Sequence, residues 1–315
     1  MSVRLTVLIF DGITAFLLAV IPLYFVELRQ RARGLKLPSP ELHYLAAALL
    51  AAVWLVVFYG SFIEPRLLTV GRYDVGLGSA GGRLKVAVVG DTHLGVYQGR
   101  DWLQRVVDRT NAEQPDLVLL GGDYVVNMPA LDDLEPLKNL KAKYGVYAVL
   151  GNFDYRVGAV DVRERLGSYG VKTLVNRSVP LDLAGRPLDA AQGLRRLRLI
   201  GLDDYWYGDP DWTKALAGVE PNAVKIVLAH NPDLAPKGEA SGVDLMIAAH
   251  THGGQVRLPF IGPLTKLPIA IGQRFDKGLF DFGPMKLFIT PGVGESGVRA
   301  RLFDPPEISI LNLSF

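Results

Sequence analysis

The chain has 315 residues, a mass of 34.4 kDa, a formal net charge of +2 and a sequence pI near 8.6. That is room for one large domain plus an extension, with too little charge for polyanion attraction to drive function, so no nucleic-acid partner is expected and no motif points to a protein partner. The absence of Cys excludes disulfides and thiolate metal ligands, while 49% hydrophobic residues and a mean hydropathy of +0.22 are high for a soluble enzyme.

The excess apolarity lies at the front. Residues 5–26 form an apolar run broken only by Asp11, and residues 44–63 carry no charge over about the 20 residues a membrane-spanning helix needs. A transmembrane hairpin over residues 1–64, in an inner or cytoplasmic membrane, is predicted. Asp11 is expected to be paired or close to an interface. Between the runs stand Arg29, Arg31, Arg33 and Lys36, which favour a cytoplasmic connection and leave the remainder of the chain facing away from the cytoplasm. Residues 65–83 read as a linker ending in a glycine-rich hinge, and 84–315 as the catalytic domain.

From residue 84 apolar runs alternate with helical patterns. Strands are predicted at 84–89, 116–120 and 145–150, separated by helices at 101–113, with Asp101 as N-cap, and 130–143, and followed by a helix at 159–169. Further strands follow at 197–202, 224–229, 244–249, 286–290 and 307–313, with one short helix at 211–217. Such βαβ units predict an α/β fold of two packed sheets flanked by helices.

Four of the five histidines directly follow these apolar runs. They are His93 in Asp91-Thr92-His93, His230, and the pair His250-Thr251-His252. Two more runs end in Gly121-Gly122-Asp123 and Gly151-Asn152-Phe153-Asp154. Carboxyl ends of strands are where α/β sites assemble, so these side chains are expected to converge on a metal site with two ions. Imidazole with carboxylate suits Mn, Fe, Zn or Ni. Two such ions clamp a phosphoryl group and supply a bridging hydroxide. Asp123 is the natural bridging carboxylate and Asn152 a donor for the phosphoryl oxygens; these are the catalytic candidates.

The order and spacing of these motifs resemble those of the calcineurin-like metallophosphoesterases, from about residue 84 to the end. The resemblance implies a two-sheet β sandwich flanked by helices. It implies one ion on Asp91, His93, Asp123 and His252, and another on Asp123, Asn152, His230 and His250. Two positions depart from the family pattern: Ala249 replaces a Gly, and Phe153 replaces a His that approaches the phosphoryl group and helps the leaving oxygen. A leaving phosphate monoester needs no such help, so a pyrophosphate or activated ester is expected. The hairpin resembles the bacterial membrane-associated branch, which includes enzymes acting on UDP-2,3-diacylglucosamine. The implied partners are a membrane and a phosphorylated, lipid-linked substrate; the rival reading is a non-catalytic membrane sensor or scaffold with a structural metal site.

Several other residues are candidates for supporting the site or binding substrate. Asp154 follows Phe153, and Tyr205 and Trp206 form an aromatic loop. Arg299, Arg301, Arg274 and Lys277 are candidate phosphate binders, and the glycine-rich stretch 291–297 offers backbone N–H groups to an anion. The apolar, Pro-broken stretch 256–271 reads either as a packed loop or as a lipid-facing lip.

Overall fold

The apolar runs pair into two sheets that face each other. In this computed structural model, which describes residues 3–34, 40–78, 82–181 and 197–315, the first sheet holds β1 (Thr69–Gly76), β2 (Arg83–Val89), β3 (Leu117–Leu120), β4 (Val146–Ala148), β5 (Lys172–Thr173) and β14 (Glu307–Ser314). Its spatial order is β1-β14-β2-β3-β4-β5. The second sheet holds β6 (Arg177–Leu181), β7 (Leu197–Gly201), β8 (Val224–Leu228), β9 (Leu245–Ala248), β12 (Gly278–Phe282) and β13 (Met285–Ile289), in the order β12-β13-β9-β8-β7-β6. A small separate ladder joins β10 (Arg257–Leu258) to β11 (Gly262–Pro263).

Alternation along each strand builds the layers. Val86, Val88, Leu117 and Leu119 point between the sheets and meet Leu199, Ile226, Leu228 and Ile247. Their neighbours Ala87, Val89, Val118 and Leu120 point outward onto Trp102, Leu103, Val106 and Val107 of α3 (Arg100–Ala112) and onto Val162 and Leu166 of α4 (Asn152–Ser168). The outer face of the second sheet is covered by the short helices α5 (Trp212–Ala215) and α6 (Ala235–Ala240), and by Leu267, Ile269 and Phe275.

The structure departs from the sequence pattern in several places. The one short strand expected in the linker, at 67–70 or 73–75, is a single longer edge strand, Thr69–Gly76, in parallel register with β14, from Thr69↔Glu307 to Gly76↔Ser314. The helix expected at 130–143 is instead a 3-10 stretch, Met128–Asn139, because Pro136 lies inside it and breaks the i→i−4 ladder. α3 is capped by Gly99, with Asp101 in its first turn, and α6 was not foreseen. α4 begins at Asn152, well before residue 159, and is interrupted at Gly158, whose φ is 146°. Residues 35–39, within the basic connection, and 79–81, within the glycine-rich hinge, lie outside the described residues.

At the front, α1 (Val3–Gly34) and α2 (Pro40–Phe58) are long and apolar enough to cross a membrane. The candidate spans are Val7–Gln30 and Glu41–Arg66, only 11% and 17% buried within the protein. A π-helical turn, Tyr59–Ile63, carries α2 into the domain. There the Gly60 carbonyl accepts from Arg301 N at 2.9 Å, and Glu64 Oε1 accepts from Asp304 N at 2.6 Å. Tyr97 Oη donates to Asp11 Oδ1 at 3.4 Å, so the one acidic group in the first run has a partner on the domain.

Candidate active site

Five strand ends, from both sheets, deliver the site: β2 to Asp91 and His93, β3 to Asp123, β4 to Asn152, β8 to His230 and β9 to His250 and His252. The two sheets close together there because small residues face each other. A methyl on Gly90 would stand 3.0 Å from the Ala249 methyl, and one on Gly121 would stand 3.1 Å from it. Bulk at these points would drive the two halves of the site apart.

Asp91, His93 and His252 present ligand atoms within 4.8 Å of one another, and so do Asp123, His230 and His250. All six are buried. Asp123 Oδ2 joins the groups, lying 3.5 Å from His93 Nε2 and 3.3 Å from His230 Nε2. Asn152 Oδ1 is 3.1 Å from His230 Nε2. The seven side chains named from the strand ends therefore meet in one pocket, with Asp123 between the clusters.

Hydrogen bonding fixes which ring nitrogen faces inward. Carbonyls only accept, so His230 Nδ1 donates to Gly121 O at 2.8 Å and His250 Nε2 to Pro268 O at 3.3 Å. His230 Nε2 and His250 Nδ1 then face each other at 3.1 Å. His93 Nε2 and His252 Nε2 stand 3.0 Å apart in the other cluster. Carboxylate oxygens and imidazole lone pairs so crowded are held together by positive charge, which is what divalent cations provide. The donor set, nitrogen and oxygen without sulfur, suits Mn, Fe, Zn or Ni.

The protonation tendencies divide the four rings. Burial drives His93 down to about 4 and His250 down to about 3, and with the neighbouring imidazoles it drives His252 well below its ordinary value. These rings are neutral, ligand-competent donors at pH 7. Burial also opposes charge on His230, but the Asp123 and Asp91 carboxylates and the Gly121 carbonyl outweigh it and push this ring up to about 10. Asp123 is held below the usual carboxylate range because His230, His93 and His250 overcome the effect of its burial. Asp91 is raised, chiefly by burial and with help from the Asp123 charge.

The backbone is bent to make this pocket. Asp91, His93, Asp123, His250 and His252 have φ of 53°, 44°, 56°, 73° and 53°, a left-handed region that disfavours residues with a Cβ. Clamps hold them there. His250 N donates to both Asp91 carboxylate oxygens, at 3.1 and 3.3 Å, and Phe153 N donates to Asp123 Oδ1 at 2.7 Å. Asp154, fully buried, accepts from Asp123 N, Tyr124 N and Gly151 N, each at 2.8 Å.

A cavity of about 270 Å³ opens over the clusters. Phe153 and Trp206 border it, and residues 265–268 form another part of its wall. The Phe153 ring meets His93 edge-on with centroids 4.7 Å apart, and Trp206 meets His250 edge-on at 4.5 Å. Lys266, which the motif reading did not single out, is the only Lys or Arg among the described residues lining this cavity. Its signal in the sequence is faint: one of two cations, with Arg257, inside the apolar stretch 256–271.

Several candidates sit elsewhere. Tyr205 does not line the cavity and is exposed. The Arg299 guanidinium lies 4.9 Å from the Phe62 ring and 5.3 Å from that of Tyr97, so it serves the junction with the helical hairpin. Arg301 is buried and donates to the Gly294, Pro291 and Asp304 carbonyls, Lys277 pairs with Asp304, and Arg274 covers Phe275. In the 291–297 loop, Val293 N donates to Gly90 O, Gly294 N to Asp91 O and Ser296 N to Gln255 Oε1, so these three N–H groups are not free for an anion.

Buried His and Asp clusters sharing one carboxylate, beneath a cavity of phosphate-ester size, make this protein a metal-dependent phosphoesterase. The chain belongs to the calcineurin-like phosphoesterase family, whose model matches residues 84–254. It is 26% identical over 262 residues to the uncharacterised metallophosphoesterase YkuE of Bacillus subtilis, covering 81% of this chain and 88% of that one. It is 32% identical over 239 residues to the phosphodiesterase YaeI of Escherichia coli, covering 73% of this chain and 82% of that one. A transmembrane protein with a metallophosphoesterase domain from Danio rerio is 30% identical over 239 residues, and the chain spans only 52% of its length.

Proposed function

We propose that this phosphoesterase is held in a membrane by its N-terminal hairpin and hydrolyses a lipid-linked pyrophosphate or phosphodiester, of which UDP-2,3-diacylglucosamine is one example. The observation that carries the substrate class is Phe153. It borders the cavity against His93, at the position where the family pattern has a proton-donating His. With a phenyl ring there, the leaving oxygen departs as an anion, which suits a leaving phosphate and penalises an alkoxide. The uncovered hairpin helices and the apolar wall beside Lys266 support an amphiphilic substrate.

Bound by the seven side chains, divalent cations would supply Lewis-acid charge at the phosphoryl oxygens and lower the pKa of a bound water. The remaining roles belong to the chain. Asn152 turns its Oδ1 toward His230, which leaves its amide N–H groups for a phosphoryl oxygen. Lys266 provides a positive charge at the cavity wall, and Trp206 offers a flat face to an aromatic headgroup.

Initial rates on a pyrophosphate diester and on an unactivated alkyl phosphodiester test the substrate class. The wild-type chain is expected to favour the pyrophosphate, and a clear preference for the alkyl ester would sink the proposal. In Phe153→His the alkyl ester is expected to gain about 100-fold, the lower end of what a positioned general acid supplies, while the pyrophosphate changes little. Membrane side is set by protease protection in sealed vesicles. The basic connection predicts a domain outside the cytoplasm, where phospholipids or undecaprenyl-type pyrophosphates are met; a cytoplasmic domain would meet UDP-2,3-diacylglucosamine.

A further inference from the structure

The β10–β11 hairpin carries its large apolar side chains outward. Phe260 is 109% exposed, Ile261 72% and Leu264 54%, and Phe303, which borders the same surface hollow as the hairpin tip, is 57% exposed. Phe260 and Phe303 both hold φ in the left-handed region, at 66° and 55°. Exposed aromatic groups clustered in this way mark a contact surface.

Two connections fix what that surface meets. Toward the N-terminal helices, Arg301 N donates to Gly60 O at 2.9 Å, where the second candidate span enters the domain, and the next residue, Leu302, pairs with β10: Arg257 N donates to Leu302 O at 2.9 Å. Gly60, Leu302 and the hairpin are thus successive rungs, and Tyr59, Ile63 and Leu67 beside them are exposed as well. Toward the active site, Leu264 N donates to Val256 O at 2.9 Å, and the chain then runs directly into the 265–268 wall. That wall contributes Lys266 to the cavity and the Pro268 carbonyl to His250.

We propose that the hairpin tip, Phe260 and Ile261 together with Phe303, dips into the lipid bilayer that carries the two N-terminal helices. The mouth of the metal pocket and Lys266 are then held at the level of the lipid headgroup phosphates. The proposal rests on the membrane-anchored reading above and deepens it. The surface is continuous with the span, its tip is Phe and Ile, an apolar set of the kind that buries at the headgroup–acyl boundary, and it leads without a break to the one cation lining the cavity among the described residues.

The absence of Cys gives a direct test. Phe260→Cys in the full-length chain is spin-labelled and reconstituted in phosphatidylethanolamine–phosphatidylglycerol vesicles. Collisions of the label with oxygen and with a water-soluble nickel chelate report its depth. Ser168→Cys, at the exposed end of α4 beside the β5 edge, serves as the aqueous control. The label at 260 is expected to favour oxygen and the label at 168 the chelate. Chelate access at 260 equal to that at 168, or shielding from both reagents as under a second protein copy, overturns the proposal. In the double variant Phe260→Asp with Ile261→Asp, the ratio of turnover of a phospholipid bearing an activated aryl headgroup in vesicles to that of a soluble chromogenic diester is expected to fall about tenfold or more, from the lost apolar contact. An unchanged ratio removes the pocket mouth from the headgroup level. A wild-type chain that ignores the embedded ester while the 260 label still reports lipid would refute the lipid substrate and support the tip contact.

Discussion

Asp123→Asn is expected to lower turnover of a phosphodiester by about 10³-fold, as loss of a central charge-stabilising group does. The reason is the position of one oxygen. Asp123 Oδ2 stands within 3.5 Å of a ring nitrogen from each cluster, His93 Nε2 and His230 Nε2, while Oδ1 is occupied by the Phe153 N–H. Asparagine retains an acceptor for Phe153 but turns an NH₂ group toward imidazole lone pairs and toward any cation between them. Both cation sites are weakened by one change, whereas loss of His252 or His250 weakens one cluster directly. Metal retained after dialysis, read by plasma mass spectrometry, is therefore expected to fall by at least half in Asp123→Asn, and turnover is expected to stay low in excess Mn²⁺. Full metal retention with wild-type turnover would show that this carboxylate does not join the two sites. A sensor or scaffold predicts something different, namely that the wild-type chain itself gives no metal-dependent turnover.

The positions of the ligands were legible because each follows a run of buried, β-prone residues that stops abruptly. Val86–Val89, Leu117–Leu120, Ile226–Leu228 and Leu245–Ala248 could only be interior strands, and the polar residue after each had to lie at a sheet edge. The closure of two sheets over one pocket was less legible. It depends on Ala249 facing Gly90 and Gly121, a contact between residues far apart in the chain. Arg299 and Asp123 show the same limit from opposite sides. A charge on a loop can point anywhere, and Arg299 turns to Phe62, a contact set by how the hairpin docks. Asp123 needs φ near 56°, which no local preference of Asp in that run demands and which tertiary hydrogen bonds enforce. Pro136 was visible in the sequence, yet the apolar period around it was read as an α-helix where the missing N–H and the ring clash leave a 3-10 stretch.

Those enforcing bonds lead to the second large effect, at Asp154. This carboxylate is fully buried and receives three backbone N–H groups, from Asp123 and Gly151 on Oδ2 and from Tyr124 on Oδ1. Asp154→Ala leaves all of them in a space closed to solvent. With about 1–3 kcal/mol for each stranded donor, and some relief by relaxation, the expected loss of stability is about 3–5 kcal/mol. Asp154→Asn keeps one carbonyl oxygen and sets an NH₂ against a donor, so its loss is expected to be about half as large. The functional consequence is separable from the fold. Asp123 stays in its left-handed conformation because its own N–H and that of Tyr124 are tied to Asp154. With that tie weakened in Asp154→Asn, Asp123 relaxes and cation affinity is expected to fall about 10- to 100-fold, as when an outer partner of a metal ligand is removed. Turnover measured against Mn²⁺ concentration should then show a raised half-saturation point with the plateau largely recovered, at a temperature where thermal unfolding shows the variant folded. A lowered plateau at unchanged half-saturation would place Asp154 in substrate handling instead, and wild-type stability in Asp154→Ala would mean that the three N–H groups find other acceptors.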